Sequence, residues 1–316
     1  MKMNERHLMQ LAAVLDCGGV SEGAALLGMT QPAVSRSLSM LEARVGEPLF
    51  IKGRRPLQPT ALGLQLAIHG RAILTASRRA TDAVQGHLKG TSGVVRVGGV
   101  PFFMDALVSQ MIASFHQEEA EITVNQSYGN LPELVSGLDA HLIDLAIAPV
   151  GTTHPGTAYE FIDILPGRNV VACRTGHPLM RRTRPRATDL AAFPWIAPLP
   201  GSPLMTDLQM ILLSIGLSEL NIRYSGGSLM SVMNFLADSD ALAVLPFSVV
   251  FALRRENRVT MLPFDIPQPD RSLGVLRRLD APRVPAADRF VNHIIRVFDD
   301  LKHTIKRHEN AVVWTR

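Results

Sequence analysis

Gln31, Ser35, Arg36 and Ser39 recur at a spacing that would put their side chains along one face of a helix. Glutamine and serine both donate and accept hydrogen bonds, and the Arg36 guanidinium can take O6 and N7 of guanine in a bidentate fork. The chemistry suggested is the reading of base edges in a DNA major groove. On the other side of the same segment, Val34, Leu38, Leu41 and Val45 follow at intervals of four, three and four, which gives a helix from about Gln31 to Val45 an apolar face to bury. Further on, Lys52, Arg54 and Arg55 surround Gly53 and could meet phosphates or a minor groove.

Such a face has to be held at a fixed angle by its neighbours. Leu8, Leu11, Ala12 and Leu15 form the buried stripe of a first helix, which Cys17-Gly18-Gly19 stops. Ser21 is expected to cap a short second helix through Ala24 to Leu27, with Gly28 at its end. Thr30 or Gln31 then caps the third helix, with Pro32 in its first turn. From Pro48 to Leu57 two short apolar strands flank a basic turn, the pattern of a wing. The whole reads as a winged helix-turn-helix in which Ser21, Thr30, Gln31, Pro32, Ser35, Arg36, Ser39, Lys52, Arg54 and Arg55 contact double-stranded DNA.

Charge is distributed accordingly. Residues 1–90 carry eleven Lys and Arg against six Asp and Glu, and the other 226 carry twenty-one against twenty-two, so the whole net excess of +4 comes from the N-terminal part. Counterion release on DNA requires such an excess at the contact surface. The two cysteines, Cys17 and Cys173, lie far apart and form no CxxC, which fits a reduced cytoplasmic compartment. No apolar run reaches the roughly 18 to 20 residues that span a bilayer, so no membrane partner is expected.

Residues 1 to about 88 resemble the DNA-binding domain of LysR-type bacterial transcriptional regulators. The resemblance is carried by Ser21, Ala24-Ala25, the run from Thr30 through Arg36, Leu41-Glu42, and Gly46 through Leu49-Phe50. Lys52 stands where that family usually has arginine, which keeps the charge and loses the bidentate geometry. Pro59-Thr60-Ala61-Leu62-Gly63 replaces the usual Leu-Thr-x-Ala-Gly and keeps Thr60 as a helix cap.

From Thr60 to about Leu88 there is no proline, and Leu62, Leu66, Ile73, Ala76, Ala80 and Ala83 form a heptad-compatible stripe. A helix of this length needs a partner for its stripe. Its own C-terminal part is one candidate. A second copy is the favoured one, with Leu62, Leu66, Ile73, Ala76 and Ala80 as the dimerisation seam, because it would also place two recognition helices on a two-fold operator. The resemblance implies a homodimer or homotetramer.

The remainder alternates strands (Val94–Gly98, Ile122–Asn125, Leu142–Ile147, Val170–Ala172, Ile222–Tyr224 and Ala241–Leu245) with helices near 106–117, 131–138, 205–213, 229–236 and 288–303. Near-continuous apolar strands between helices imply α/β architecture with a parallel sheet. By resemblance this is a two-lobed, periplasmic-binding-protein-like (type 2) effector domain. The expected division is a winged helix-turn-helix at 1–59, a linker helix at 60–90, an effector-binding domain at 91–309 and a tail at 310–316. Lobe one would take about 91–165 and 266–309, and lobe two 166–265, with crossings at Leu165-Pro166-Gly167 and between Pro263 and Pro269.

Where strands end and helices begin, Pro101, Phe102, Phe103, Ser202, Gly227, Ser228, Pro246 and Phe247 are candidate ligand-binding residues. Free N–H groups and hydroxyls there would receive an acidic group and the phenylalanines an apolar body, so the expected effector is a small organic acid. Ser202 and Ser228 could equally be N-caps, and the phenylalanines core.

An enzyme is the rival class. Gly98-Gly99 follows a β run, but no G-x-G-x-x-G or P-loop is present, nor a G-x-S-x-G elbow or an H-E-x-x-H pair. His303 and His308 read as a solvated tail, His177 before Pro178 as a turn residue, and Cys173 as strand packing. No catalytic residue, metal ligand or cofactor is assigned. A DNA-binding protein without an effector is a third class, against which stand the more than 200 residues of α/β pattern, beyond what dimerisation needs. The sequence therefore points to a cytoplasmic regulator that binds promoter DNA and answers to a small molecule, with RNA polymerase a further implied partner.

Overall fold

The computed structural model describes residues 3–51, 53, 57–89, 93–151, 156–217, 220–268, 270–281 and 283–313 of the chain. The N-terminal part comprises α1 (Glu5–Asp16), α2 (Val20–Leu26), α3 (Gln31–Val45) and the long α4 (Ala61–Lys89). Leu8, Leu11, Val34, Leu38 and Leu41, expected from their spacing, join Val14, Ala24 and Leu49 in a core between the first three helices, and Leu15 and Val45 are partly buried against it. Ser21 does not cap α2. The helix begins two residues earlier than that cap implies, at Val20, its N-cap is the extended Gly19, and Ser21 sits inside the first turn.

Helix α4 lies on α1 so closely that a Cβ at Gly70 would stand 2.0 Å from the Leu8 carbonyl oxygen. This contact settles part of the stripe. Leu62, Leu66 and Ile73, expected in an intermolecular seam, are partly buried against the N-terminal core of their own chain. An apolar face closes on the nearest apolar surface, which here is α1. Ala76 and Ala80 remain exposed.

Beyond residue 93 the chain runs β1 (Val94–Gly99), α5 (Pro101–Phe103), a π-helical turn (Met104–Val108), α6 (Ser109–Glu118), β2 (Thr123–Tyr128), α7 (Leu131–Asp139), β3 (Leu145–Gly151) and β4 (Tyr159–Pro166). It continues through β5 (Asn169–Arg174), α8 (Ala187–Leu190), β6 (Trp195–Ala197), α9 (Pro203–Ser214), β7 (Ile222–Ser225), α10 (Leu229–Ala237) and β8 (Ala243–Pro246). Last come α11 (Phe247–Leu253), β9 (Val259–Met261), β10 (Arg271–Arg278) and α12 (Pro285–Val313). Where a tail was expected from 310, α12 runs on to Val313, since no glycine or proline interrupts it after Pro285.

The first sheet has the order β2-β1-β3-β10-β4, the second β8-β5-β9. Strands β6 and β7 form a parallel pair beside β8, bridged through Trp195 and Leu242. The expected all-parallel sheet is corrected by these pairings. Strand β1 is parallel to β2 and β3, whereas β10 is antiparallel to both β3 and β4, and β5 to both β8 and β9. A strand entering from the other sheet does not need the helical crossover that forces parallel pairing, so β10 is free to run backwards.

The chain crosses between the sheets after β4 and again before β10. A single apolar core spans both, joining Val95, Val97, Ile147 and Phe290 of the first to Val170, Leu245, Val250 and Phe251 of the second. No helix among the described residues is long and apolar enough to cross a membrane.

Candidate nucleic-acid interface and interlobe cleft

Burial of Val34, Leu38 and Leu41 turns the other side of α3 outward, and Gln31, Pro32, Ser35, Arg36 and Ser39 are all exposed there. Arg36 Nε donates to the Pro32 carbonyl at 3.3 Å and Ser39 Oγ to the Ser35 carbonyl at 3.2 Å, so both side chains rest on their own helix. Thr30 is the N-cap residue but makes no side-chain cap bond, and Ser21 is exposed on α2. Met40 and Arg44, exposed on the same helix, were missed in the sequence. The hairpin after α3 is held by Ile51 N–H to Gln58 O at 2.8 Å and Thr60 N–H to Leu49 O at 2.9 Å. Its basic residues Lys52, Arg54 and Arg55 lie outside the described residues.

Two side chains fasten this hairpin to the helices. The Glu42 carboxylate accepts the Leu49 N–H at 2.8 Å, a role with no local sequence signal. Thr60 Oγ1 accepts from Gly63 N–H at 3.1 Å, capping α4 as its sequence predicts, and donates to Pro48 O at 3.0 Å.

The second candidate site is a cleft of about 350 Å³ between the two sheets. Pro101, Phe102, Phe103, Ser202, Gly227 and Pro246 line it, six of the eight expected residues. Ser228 does not line it. Its hydroxyl caps α10 by accepting the Ser231 N–H at 3.3 Å. Phe247 does not line it either, since the first turn of α11 directs the ring into the core, 5.8 Å from Phe251. Ser202 lines the cleft while capping α9 through the Met205 N–H at 3.2 Å.

Three charged residues reach the cleft that sequence reasoning did not select. Arg168 comes from the first crossing, with its guanidinium 4.5 Å from the Phe247 ring centroid. Asp207 comes from α9 and Arg271 from the start of β10, and Arg271 Nη1 donates to Asp207 Oδ2 at 2.7 Å. The rest of the wall is mainly apolar, with Leu165, Ile196, Leu208 and Leu245 among it. The crossings beside it are tied together. Gln268 Oε1 accepts Asn169 N–H at 2.7 Å, its Nε2 donates to Asn169 O at 3.1 Å, and Gly167 N–H donates to Arg271 O at 2.8 Å. A Cβ on Gly167 would stand 2.2 Å from that Arg271 oxygen, so glycine permits the approach.

The other chemically suggestive residues are structural in place. His177 is fully buried, its Nδ1 accepting from Leu179 N–H at 3.1 Å and its Nε2 facing Asp240 O at 3.2 Å. Burial holds its imidazole below the ordinary pKa. Cys173 is buried in β5, where desolvation pushes its thiol up to about 12.

Residues 6–64 match the description "bacterial regulatory helix-turn-helix protein, lysR family", and residues 88–299 match the "LysR substrate binding domain". The chain is 25% identical over 287 residues to the HTH-type transcriptional regulator GbpR of Azospirillum brasilense, covering 90% of this chain and 84% of that one. It is 28% identical over 263 residues to an SDS degradation transcriptional activation protein of a Pseudomonas species, covering 82% and 85%. Among solved structures, full-length CbnR in complex with its target DNA superposes with a TM-score of 0.67 at 21% identity, covering 93% of this chain and 99% of that one.

Proposed function

The chain belongs to the LysR family of DNA-binding bacterial transcriptional regulators, and from that premise we propose that it binds promoter DNA as a homodimer or homotetramer and responds to a small organic effector in its interlobe cleft. The observation that carries the effector part is the cleft itself, a mainly apolar chamber lined from both sheets and from the crossings that join them. The DNA part rests on the exposed polar face of α3 and on the charge excess of residues 1–90. In this proposal Gln31, Pro32, Ser35, Arg36 and Ser39 face the major groove, with Ser21 and Thr30 beside them and Lys52, Arg54 and Arg55 on phosphates or in the minor groove.

The proposed division of labour follows the crossings: DNA binding in 1–59, a linker in 60–90, and lobes meeting near 166 and 266. The protein would act in the cytoplasm, on RNA polymerase at its promoters, and without catalysis of its own. The dimer seam is moved to the face of α4 turned away from α1, where Ala61, Leu64, Ile68 and Ala72 follow at spacings of three, four and four. Leu64 is 49% exposed and Ile68 52%, one turn apart on that face, which a second copy would cover.

The decisive experiment pairs a thermal-shift screen of small organic compounds with operator binding by the full-length protein. Ser202→Trp should abolish the shift given by any stabilising compound while operator binding persists. A compound whose shift survives in that variant binds elsewhere.

A further inference from the structure

The cleft contains an internal counter-ion. Among its described lining residues the charged groups are Arg168, which packs on the Phe247 ring, and Asp207 with Arg271, set in a mainly apolar wall. Asp207 and Arg271 belong to different halves of the domain. Asp207 rides on α9, whose Leu208 and Leu212 are buried with Val171, Cys173 and Trp195 in a core of lobe two. Arg271 opens β10 in the first sheet, in register with Gly151 of β3. Their bond at 2.7 Å therefore runs from lobe to lobe. By contrast, Arg174 with Asp240 at 2.7 Å and Arg277 with Asp288 at 2.7 Å each stay inside one lobe.

The two side chains are 25% and 41% exposed, so the pair is wetted and contributes little to stability. A carboxylate entering the cleft would meet Arg271 already neutralised by an equivalent group. We propose that the effector is a monocarboxylate on an apolar body, and that it binds by taking Arg271 from Asp207 and so opens the ion pair between the lobes. This rests on the cleft being the effector site and adds to it the ligand's charge and the event that binding triggers. Exchange of one carboxylate for another keeps Arg271 paired, which avoids leaving a cation stranded against an apolar wall. It leaves Asp207 to swing into water and releases α9 from β10. Arg271 is also the residue whose carbonyl receives the Gly167 N–H, so movement of its backbone reaches the first crossing directly.

The test uses the full-length protein with benzoate, phenylacetate and hexanoate as probes, beside benzamide, phenylacetamide and hexanamide as neutral counterparts. Calorimetric titration should show an acid of this set binding the parent, and binding Asp207→Asn about fivefold more tightly because the internal competitor is gone, a change equal to about 1 kcal/mol, the upper end for a wetted pair. Arg271→Gln should lose the acids, and the amides should be indifferent to Asp207→Asn. Hydrogen exchange at the Gly167 amide should quicken in the acid complex and in unliganded Asp207→Asn alike. Equal affinity of the acids for the parent and Asp207→Asn would overturn the exchange, as would failure of every acid to bind either protein. The comparison of the parent with Asp207→Asn is sufficient by itself, even where Arg271→Gln does not fold. Amides that bind as well as acids and are blocked by Ser202→Trp would overturn this proposal while leaving the effector cleft in place. Binding untouched by Ser202→Trp would instead remove the cleft.

Discussion

Arg36 rests on the Pro32 carbonyl at 3.3 Å, a long bond at an exposed surface that a base edge replaces at little loss. Arg36→Ala should therefore leave folding intact while weakening specific operator binding by about 1–3 kcal/mol and relaxing sequence preference at one position. Titrations on specific and scrambled duplexes would show the gap between them narrowing, and an unchanged gap would remove Arg36 from base reading. His177 gives a pH prediction of the opposite kind. Its folded pKa is lowered by burial, so the unfolded chain binds more protons below the unfolded value of about 6.5. Stability of the effector domain should be fully expressed above that pH and fall progressively below it. Denaturant melts between about pH 5 and pH 8 should show the slope, and His177→Gln, with lower stability throughout, should show a flatter one. At this scale legibility followed locality. Pro101 through Phe103 and Ser202 were readable because a strand end or helix start announces itself in the adjacent residues. Asp207 and Arg271 were not, since their meaning arises only when residues 64 positions apart are brought to 2.7 Å.

Helix α4 shows what periodicity can and cannot decide. The stripe from Leu62 to Ile73 correctly declared a buried face, but a buried face does not name the body that buries it. The structure gives that face to α1 and leaves Leu64 and Ile68 outward. Leu64→Asp with Ile68→Asp should thus leave the N-terminal core folded and lower self-association in sedimentation, with operator affinity falling alongside. Ile73→Asp should instead destabilise the N-terminal part, by about 2 kcal/mol or more, because it buries a charge. An outcome with the two phenotypes exchanged would restore the seam first expected from sequence. At Gly70 a methyl group has nowhere to go, so Gly70→Ala should destabilise the α1–α4 contact by about 1–3 kcal/mol, as overpacking does. Strands β4, β6, β9 and β10 escaped sequence reading, β4 and β10 for a related reason. Arg271, Arg277 and Arg278 give β10 charged ends, and Glu160 and Asp163 interrupt β4, so neither presents the apolar run that marked β5 at Val170–Ala172.

At the scale of the molecule, the helical N-terminal core shares no residue with the core that spans the two sheets. Cooperative units follow continuous cores, so calorimetry should resolve two transitions, one for residues around α1–α4 and one for both lobes together. Operator DNA should raise the first and a cleft ligand the second. Two separate transitions for the two lobes would contradict the shared core formed by Val95, Phe290, Val250 and Phe251. The two-lobed plan was implied by the family resemblance, and within it the prolines near 166 and 263 marked the candidate crossings. Strand direction was not, because it depends on which sheet a returning strand joins.

The seating of Gly70 against Leu8 makes α4 a lever with a fixed handle. With 29 residues at about 1.5 Å of rise each, the helix is about 43 Å long. Because the glycine contact leaves no room for a side chain between α1 and α4, a tilt imposed at the Lys89 end would carry α1 with it. A rotation of about 10° about one end displaces the other by about 7 Å, roughly two steps of a DNA strand at about 3.4 Å each. In the proposed dimer such a tilt would change the spacing of the two α3 helices, which DNA would have to match by bending.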